Sequence, residues 1–191
     1  MPVEAIFPTP IYYGVVDNLD NISREIDAAL SKTNFSYKPE WGTTHHMSDP
    51  SFSQNFIVDN NLTTFQDTLQ QHMQQYFNEM GCPKQCTYKI KSSWSSLFKP
   101  RDFGHVHAHG YNDISGVYYH KTNNHDGDIF FLSPNTHLAT SYCYEHTHWV
   151  WEHKPLQGKL LLFPSWLQHG IKTNETEDER ISISFNIVVE R

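Results

Sequence analysis

The chain is short of basic residues, of cysteines and of long apolar runs, and each shortage removes a class of function. Lys and Arg number 14 against 21 Asp and Glu in 191 residues, a formal charge of -7. No basic cluster interrupts that average, so a general nucleic-acid binder, which needs a cationic face against phosphates, is excluded. No apolar stretch approaches the ~20 residues of a membrane span, and no membrane partner is expected. The opening Met1-Pro-Val-Glu-Ala-Ile6 has no charged stretch followed by an apolar one, so no secretory leader is expected. The three cysteines, Cys82, Cys86 and Cys143, are an odd count without a CxxC pair. They read as free thiols of a reducing cytoplasm rather than as disulfides or zinc ligands.

What is present suffices for one globular domain over 1–191, with 38% hydrophobic and 14% aromatic residues. Residues 1–87 read as helix-rich support. The stretch 18–33 puts Leu19, Ile22, Ile26 and Leu30 at helical spacing. The stretch 61–80 repeats this with Leu62, Phe65, Leu69, Met73, Tyr76 and Phe77, before Gly81 and Pro83 end it. Residues 88–191 read as a β core, with strands over 88–98, 114–120, 128–132, 148–153, 159–163 and 181–189. Turn residues such as Asn123-Asn124-His125-Asp126-Gly127 separate them. Many short strands without intervening helices predict a mostly β, antiparallel sandwich or barrel, with the helices outside one sheet.

Thirteen histidines are the unusual number. His45, His46 and His125 read as scattered and solvent-facing, whereas His105, His107 and His109 alternate within five residues. In an extended segment alternate side chains share a face, so His107 and His109 can turn toward one metal ion. Imidazole suits iron, zinc, copper and nickel, and solvated histidines near a turn are the plain alternative. A third, His169, follows the apolar run 159–163 and a turn at Pro164. A hairpin about Asn174 and Glu175 would set His169 opposite Arg180. Beyond it Ile181, Ile183, Phe185 and Ile187 form an apolar face, and Arg180, Ser182, Ser184 and Asn186 a polar one. Arg180 and Ser182 beside a histidine-bound cation would hold a carboxylate by a planar two-point contact. A rim ion pair with Glu177, Asp178 or Glu179 is the alternative for Arg180.

Together, His107-x-His109, Ser115-Gly-Val-Tyr-Tyr119, Leu162-Phe-Pro-Ser-Trp-Leu-x-His169 and Arg180-Ile-Ser-Ile-Ser-Phe-Asn186 resemble the 2-oxoglutarate/iron(II) oxygenase family of phages and marine bacteria. Phe7-Pro-Thr-Pro10 is similar to that family's start, so the likeness spans nearly the whole chain. It implies a double-stranded β-helix (a jelly roll, cupin-like), iron(II), and 2-oxoglutarate as cosubstrate. The implied activity is a dioxygenase that hydroxylates an unidentified substrate while 2-oxoglutarate is decarboxylated to succinate. By the resemblance His107 and His169 match the histidine ligands, Arg180 and Ser182 the carboxylate clamp, and Tyr119 the tyrosine that supports that carboxylate. Where the family's usual pattern has a carboxylate two residues after the first histidine, this chain has His109. The third ligand is therefore either His109 or Asp113. No catalytic residue beyond the metal centre is implied.

Two other readings stay open at this level. A cupin-type metalloprotein without 2-oxoglutarate would use His107, His109 and Asp113 with Gly158, Pro164 and His169, although Trp166 stands where the cupin pattern has glycine. A non-catalytic jelly-roll binding module would use exposed Trp and Tyr and leaves the histidines unexplained. Trp166 and Tyr118 are expected on the substrate side, with core packing as their alternative, and loops 121–127 and 133–147 at the pocket's border. Partners are expected to be a small-molecule or peptide substrate and, in a homo-oligomer, further copies of the chain. The location expected is cytoplasmic, a host's cytoplasm for a phage-encoded chain.

Overall fold

The computed structural model describes residues 7–37, 39, 44–49, 53–82, 86–140, 142 and 149–190. Helices α1, Leu19–Leu30, and α3, Thr63–Glu79, form where the apolar spacing places them, with a short α2, Phe56–Asp59, between. Helix α3 begins at Thr63 rather than Asn61 because its first turn is capped from α1. The Glu25 carboxylate accepts from the backbone N–H of Thr64 at 2.9 Å and of Phe65 at 3.2 Å. It thereby fills donors that a helix start leaves open. The helix closes in a Schellman turn: Gly81, at φ +67°, donates to Asn78, and Cys82 donates to Phe77 at 2.9 Å.

The first part of the chain also supplies strands β1, Tyr12–Val15, β2, Phe35–Tyr37, and β3, His46–Ser48, which are too short to show a period in the sequence. Then follow β4, Thr87–Phe98, β5, Gly104–His107, β6, Ile114–Lys121, and β7, Ile129–Leu132. The series ends with β8, Val150–His153, β9, Lys159–Pro164, β10, His169–Ile171, and β11, Arg180–Glu190. They make two antiparallel sheets, ordered β1-β9-β6-β11-β4-β3-β2 and β5-β10-β7-β8.

Alternation along the large sheet divides its side chains between two cores. Tyr118, Leu160, Leu162, Ile183, Phe185 and Ile187 point outward into the layer of Ile22, Ile26, Phe65, Leu69 and Met73 from the helices. Val117, Tyr119, Leu161 and Phe163 point inward, toward Ile129, Phe131 and Leu167. Gly116 is glycine for room, since a Cβ there would meet the Phe185 ring at 2.3 Å. Both helices thus pack on one sheet's outer face, as the sequence predicts, and the inner face is left for the site.

One expected pairing is not formed. His169 lies opposite His107 and Phe131 in the small sheet, whereas Arg180 lies opposite Phe98 in the large one. The turn about Asn174 crosses between sheets instead of closing a hairpin. Asn174, fully buried, donates its N–H to Asp102 and accepts from the N–H of Arg101, both at 2.8 Å. Its side chain binds Thr176 and the carbonyl of Asp178. Those bonds tie the turn to the 99–102 turn after β4 and occupy the groups a hairpin would use.

Cys82 and Cys86 are free thiols; Cys143 lies outside the described residues. Among the described residues no helix is long and apolar enough to cross a membrane.

Candidate metal centre and cavity

Three histidines converge between the sheets. His107 is the last residue of β5, His109 lies two residues on in a turn, and His169 opens β10. One ring nitrogen from each lies within 4.8 Å of the others. The ring centroids are 4.5 Å apart for His107 and His169, 4.8 Å for His107 and His109, and 5.3 Å for His109 and His169. Nδ1 of His107 meets the carbonyl of His105 at 2.8 Å, and Nδ1 of His169 meets that of Leu167 at 2.9 Å. A carbonyl only accepts, so both Nδ1 atoms carry the proton and both Nε2 lone pairs are left to ligate.

The turn that carries His109 is tied in place. The His109 N–H donates to Ser165 at 2.7 Å, and the Ser165 N–H donates to the carbonyl of Asp113 at 3.1 Å. The Asp113 carboxylate accepts from the N–H of Val189 at 2.8 Å. Asp113 is therefore spent on the end of β11 and stays outside the histidine cluster, so the structure brings His109, not Asp113, to the other two rings. Burial, with His107 beside them, holds the imidazole of His109 down at about 4 and that of His169 at about 3. Both rings are neutral near pH 7 and able to bind a cation. Three converging imidazoles, with no carboxylate among the described residues of the cavity wall, fit a divalent transition metal and leave its charge to be met by an added ligand.

The same cavity, of about 490 Å³, holds Arg180. The guanidinium is 1% exposed. Its Nη1 donates to the carbonyls of Gly127 at 2.6 Å and Asp126 at 3.3 Å, and Nε is buried without a partner. Gly127 is at φ +102°, and a Cβ there would lie 2.3 Å from the Lys172 carbonyl, so only glycine can bring that carbonyl to Arg180. The rim ion pair with 177–179 is not formed: Glu177 binds Arg101 instead. The Tyr119 hydroxyl, also buried and without a partner, belongs to the same group, its ring centre 5.9 Å from the Arg180 Cζ. Burial raises that phenol above the usual tyrosine range, so it stays a donor. Ser182, level with Tyr119 and Ser96 across its two neighbouring strands, lies beside them. Two buried donors without partners in one cavity would be satisfied by an anionic ligand that accepts from both.

Other expectations fare differently. Tyr118 is fully buried against Phe65 on the helix side and faces away from the cavity. Trp166 is 52% exposed in the turn after β9 and does not line the cavity. No residue of loop 121–127 lines the cavity; the loop lies behind Arg180, accepting from it through the Asp126 and Gly127 carbonyls, while loop 133–147 lies partly outside the described residues. His125 is exposed and His46 half-buried, but His45 does not face solvent: it lines the cavity, stacked on Phe98. Burial holds its imidazole at about 4, although the Phe103 carbonyl pulls upward. Trp94, 5.7 Å from the His109 ring, and Ser96 are also cavity residues the sequence reading missed. The inward alternation of Ser92, Trp94, Ser96 and Phe98 along β4 is the signal that finds them; His45, before a three-residue strand, has no such signal.

Residues 92–186 match the family described as "Putative 2OG-Fe(II) oxygenase". No curated protein matches. Among solved structures the chain is similar to HygX from Streptomyces hygroscopicus with nickel, 2-oxoglutarate and hygromycin B bound, at 11% identity and TM-score 0.61, covering 94% of this chain and 83% of that one. A Pseudomonas putida prolyl-4-hydroxylase is similar at 16% identity and TM-score 0.55, covering 93% and 92%. The epimerase SnoN in complex with Fe3+, alpha ketoglutarate and nogalamycin RO is similar at 11% identity and TM-score 0.63, covering 94% and 79%. At these identities the likeness shows the fold, a double-stranded β-helix.

Proposed function

We propose that this chain, whose residues 92–186 match the family described as "Putative 2OG-Fe(II) oxygenase", is an oxygenase dependent on iron(II) and 2-oxoglutarate: His107, His109 and His169 hold iron(II), and Arg180, Ser182 and Tyr119 hold the far carboxylate of 2-oxoglutarate. The observation that carries this reading is one cavity with three converging imidazoles at one place and a fully buried guanidinium with an open Nε at another. When bound, iron(II) and 2-oxoglutarate supply the chemistry: dioxygen is consumed, the cosubstrate leaves as succinate and carbon dioxide, and one oxygen atom passes to the substrate.

The chain's own residues bind, orient and exclude water. The backbone carbonyls behind His107 and His169 fix both rings with Nε2 toward the ion. The Nε edge of Arg180 offers parallel donors to a carboxylate, and the Tyr119 and Ser182 hydroxyls add one each. Phe98 and the buried strands around Arg180 keep water off that end, where a desolvated ion pair counts for more than at a surface. Trp94 borders the cavity next to His109, on the side left for a small-molecule or peptide substrate. The cupin-type alternative gives the open Arg180 Nε no task. The cytoplasm, which keeps the thiols of Cys82 and Cys86 reduced, is the proposed location.

The test is an anaerobic calorimetric titration of 2-oxoglutarate into iron(II)-loaded protein, followed by succinate detection in air. Stoichiometric binding and succinate formation are expected. No binding of 2-oxoglutarate by the metal-loaded protein would sink the reading.

A further inference from the structure

The residues 44–48 form a strap at the side of the cavity. On one flank β3 pairs with β4 of the large sheet, His46 opposite Leu97 and Met47 opposite Ser96. On the other, the Thr44 hydroxyl accepts from the Phe103 N–H at 2.8 Å, and Nδ1 of His45 donates to the Phe103 carbonyl at 3.4 Å. Phe103 directly precedes β5, the strand that ends in His107. The strap thus ties together the strand bearing Phe98 and the strand bearing a metal-binding histidine, which belong to different sheets.

At its centre is a three-layer stack. The His45 ring lies 4.2 Å from the Phe98 ring with the planes 13° apart, and the Arg180 Cζ lies 3.9 Å from the same Phe98 centroid. Groups in van der Waals contact with the centre of one ring cannot share a face, so His45 and Arg180 cover opposite faces of Phe98. Phe98 is level with Arg180 in the strand register and is 2% exposed. Its ring plane sets where the guanidinium lies, and the outer face of that ring is covered by His45.

We infer that His45 is a positioning residue for the cosubstrate: through Phe98 it holds the Arg180 guanidinium in the plane from which the open Nε meets a carboxylate. The role rests on the assignment of Arg180 to 2-oxoglutarate. His45 is not one of the three converging imidazoles and is separated from the arginine by the Phe98 ring, so its effect is expected on cosubstrate binding rather than on metal binding. What it contributes is a flat ring.

The experiment titrates iron(II), then 2-oxoglutarate, anaerobically into wild type and into His45→Ala, His45→Leu and His45→Phe. An aromatic pair is worth ~0.5–1.5 kcal/mol, so Ala and Leu are expected to weaken 2-oxoglutarate about two- to tenfold with metal affinity unchanged. His45→Phe keeps the stack while losing the bond to Phe103, and is expected to bind within about twofold of wild type, a rescue that a general loss of fold would not give. If His45→Ala does not fold, Leu against Phe carries the comparison. The inference is overturned if Ala and Leu bind like wild type, or if Phe is as weak as Leu. Wild type that binds no 2-oxoglutarate overturns the cosubstrate reading itself, and this role with it.

Discussion

Replace Arg180 by alanine, and two separate quantities should change. The first is the cosubstrate contact. A buried, charge-assisted pair contributes ~2–5 kcal/mol when one partner is cut away, which is roughly thirty-fold to several thousand-fold in Kd. At 1% exposure and with Phe98 stacked over it, Arg180 belongs in the upper part of that range. The second is stability, because Nη1 also satisfies the carbonyls of Asp126 and Gly127. A buried acceptor left without a partner costs ~1–3 kcal/mol, so Arg180→Ala should melt several degrees lower even without ligand. Arg180→Lys restores the charge but not the planar fork, and should recover stability better than affinity. The assay is calorimetry of 2-oxoglutarate into anaerobic iron-loaded protein, with metal titration and thermal melts as companions. Metal affinity should stay near wild type, since the imidazoles are untouched. Unchanged 2-oxoglutarate affinity in Arg180→Ala refutes the clamp, and an unchanged melting temperature refutes the role given to Nη1.

Alanine at His107 or His169 should abolish stoichiometric metal, and at His109 weaken it strongly, whereas Asp113→Asn should retain it; dialysis and metal analysis decide, and full occupancy in His169→Ala overturns the site. Metal-free protein should lose stability as the pH falls from about 6.5 toward 4. There His109 and His169 take up protons in the unfolded chain, at the ordinary ~6.5, but not in the fold, where they titrate at about 4 and 3. Thermal melts of wild type beside His169→Gln check this, and equal slopes in the two would count against it. Glu25→Ala removes the cap of α3 and should cost about 1 kcal/mol, or roughly 2–4 °C of melting temperature, without altering metal affinity. A melting temperature equal to wild type would show the cap to be idle.

The two faces of β11 were readable in the residue string because a strand's side chains alternate, and Arg180, Ser182, Ser184 and Asn186 do line the cavity. The helices were readable from Ile22, Ile26, Phe65 and Leu69 for the matching reason at period 3.6. Periodicity says which side chains share a face, but not which strand lies alongside. Periodicity alone makes His169 and Arg180 hairpin neighbours, whereas they line one cavity from two different sheets. That outcome depends on Asn174 binding residues 101 and 102, far off in sequence. Strands β1 to β3 and the strap at His45 escaped for a related reason. Three or four residues show no period, and their place is set by the long strands they join.

The carbonyls that anchor Arg180 belong to the 122–128 turn, which the Asp126 carboxylate braces by accepting from Thr122 and Asn123 at 2.8 and 2.9 Å. For protein engineering this makes the turn a poor place to graft new substrate preference. Insertions there would move the Gly127 carbonyl and be felt first as a lost appetite for 2-oxoglutarate, whatever substrate was offered. Trp94, although it shares β4 with Phe98, makes none of the hydrogen bonds that anchor the arginine. Libraries aimed at new substrates belong there, where a failed variant would still consume its cosubstrate and so report that the rest of the catalyst is whole.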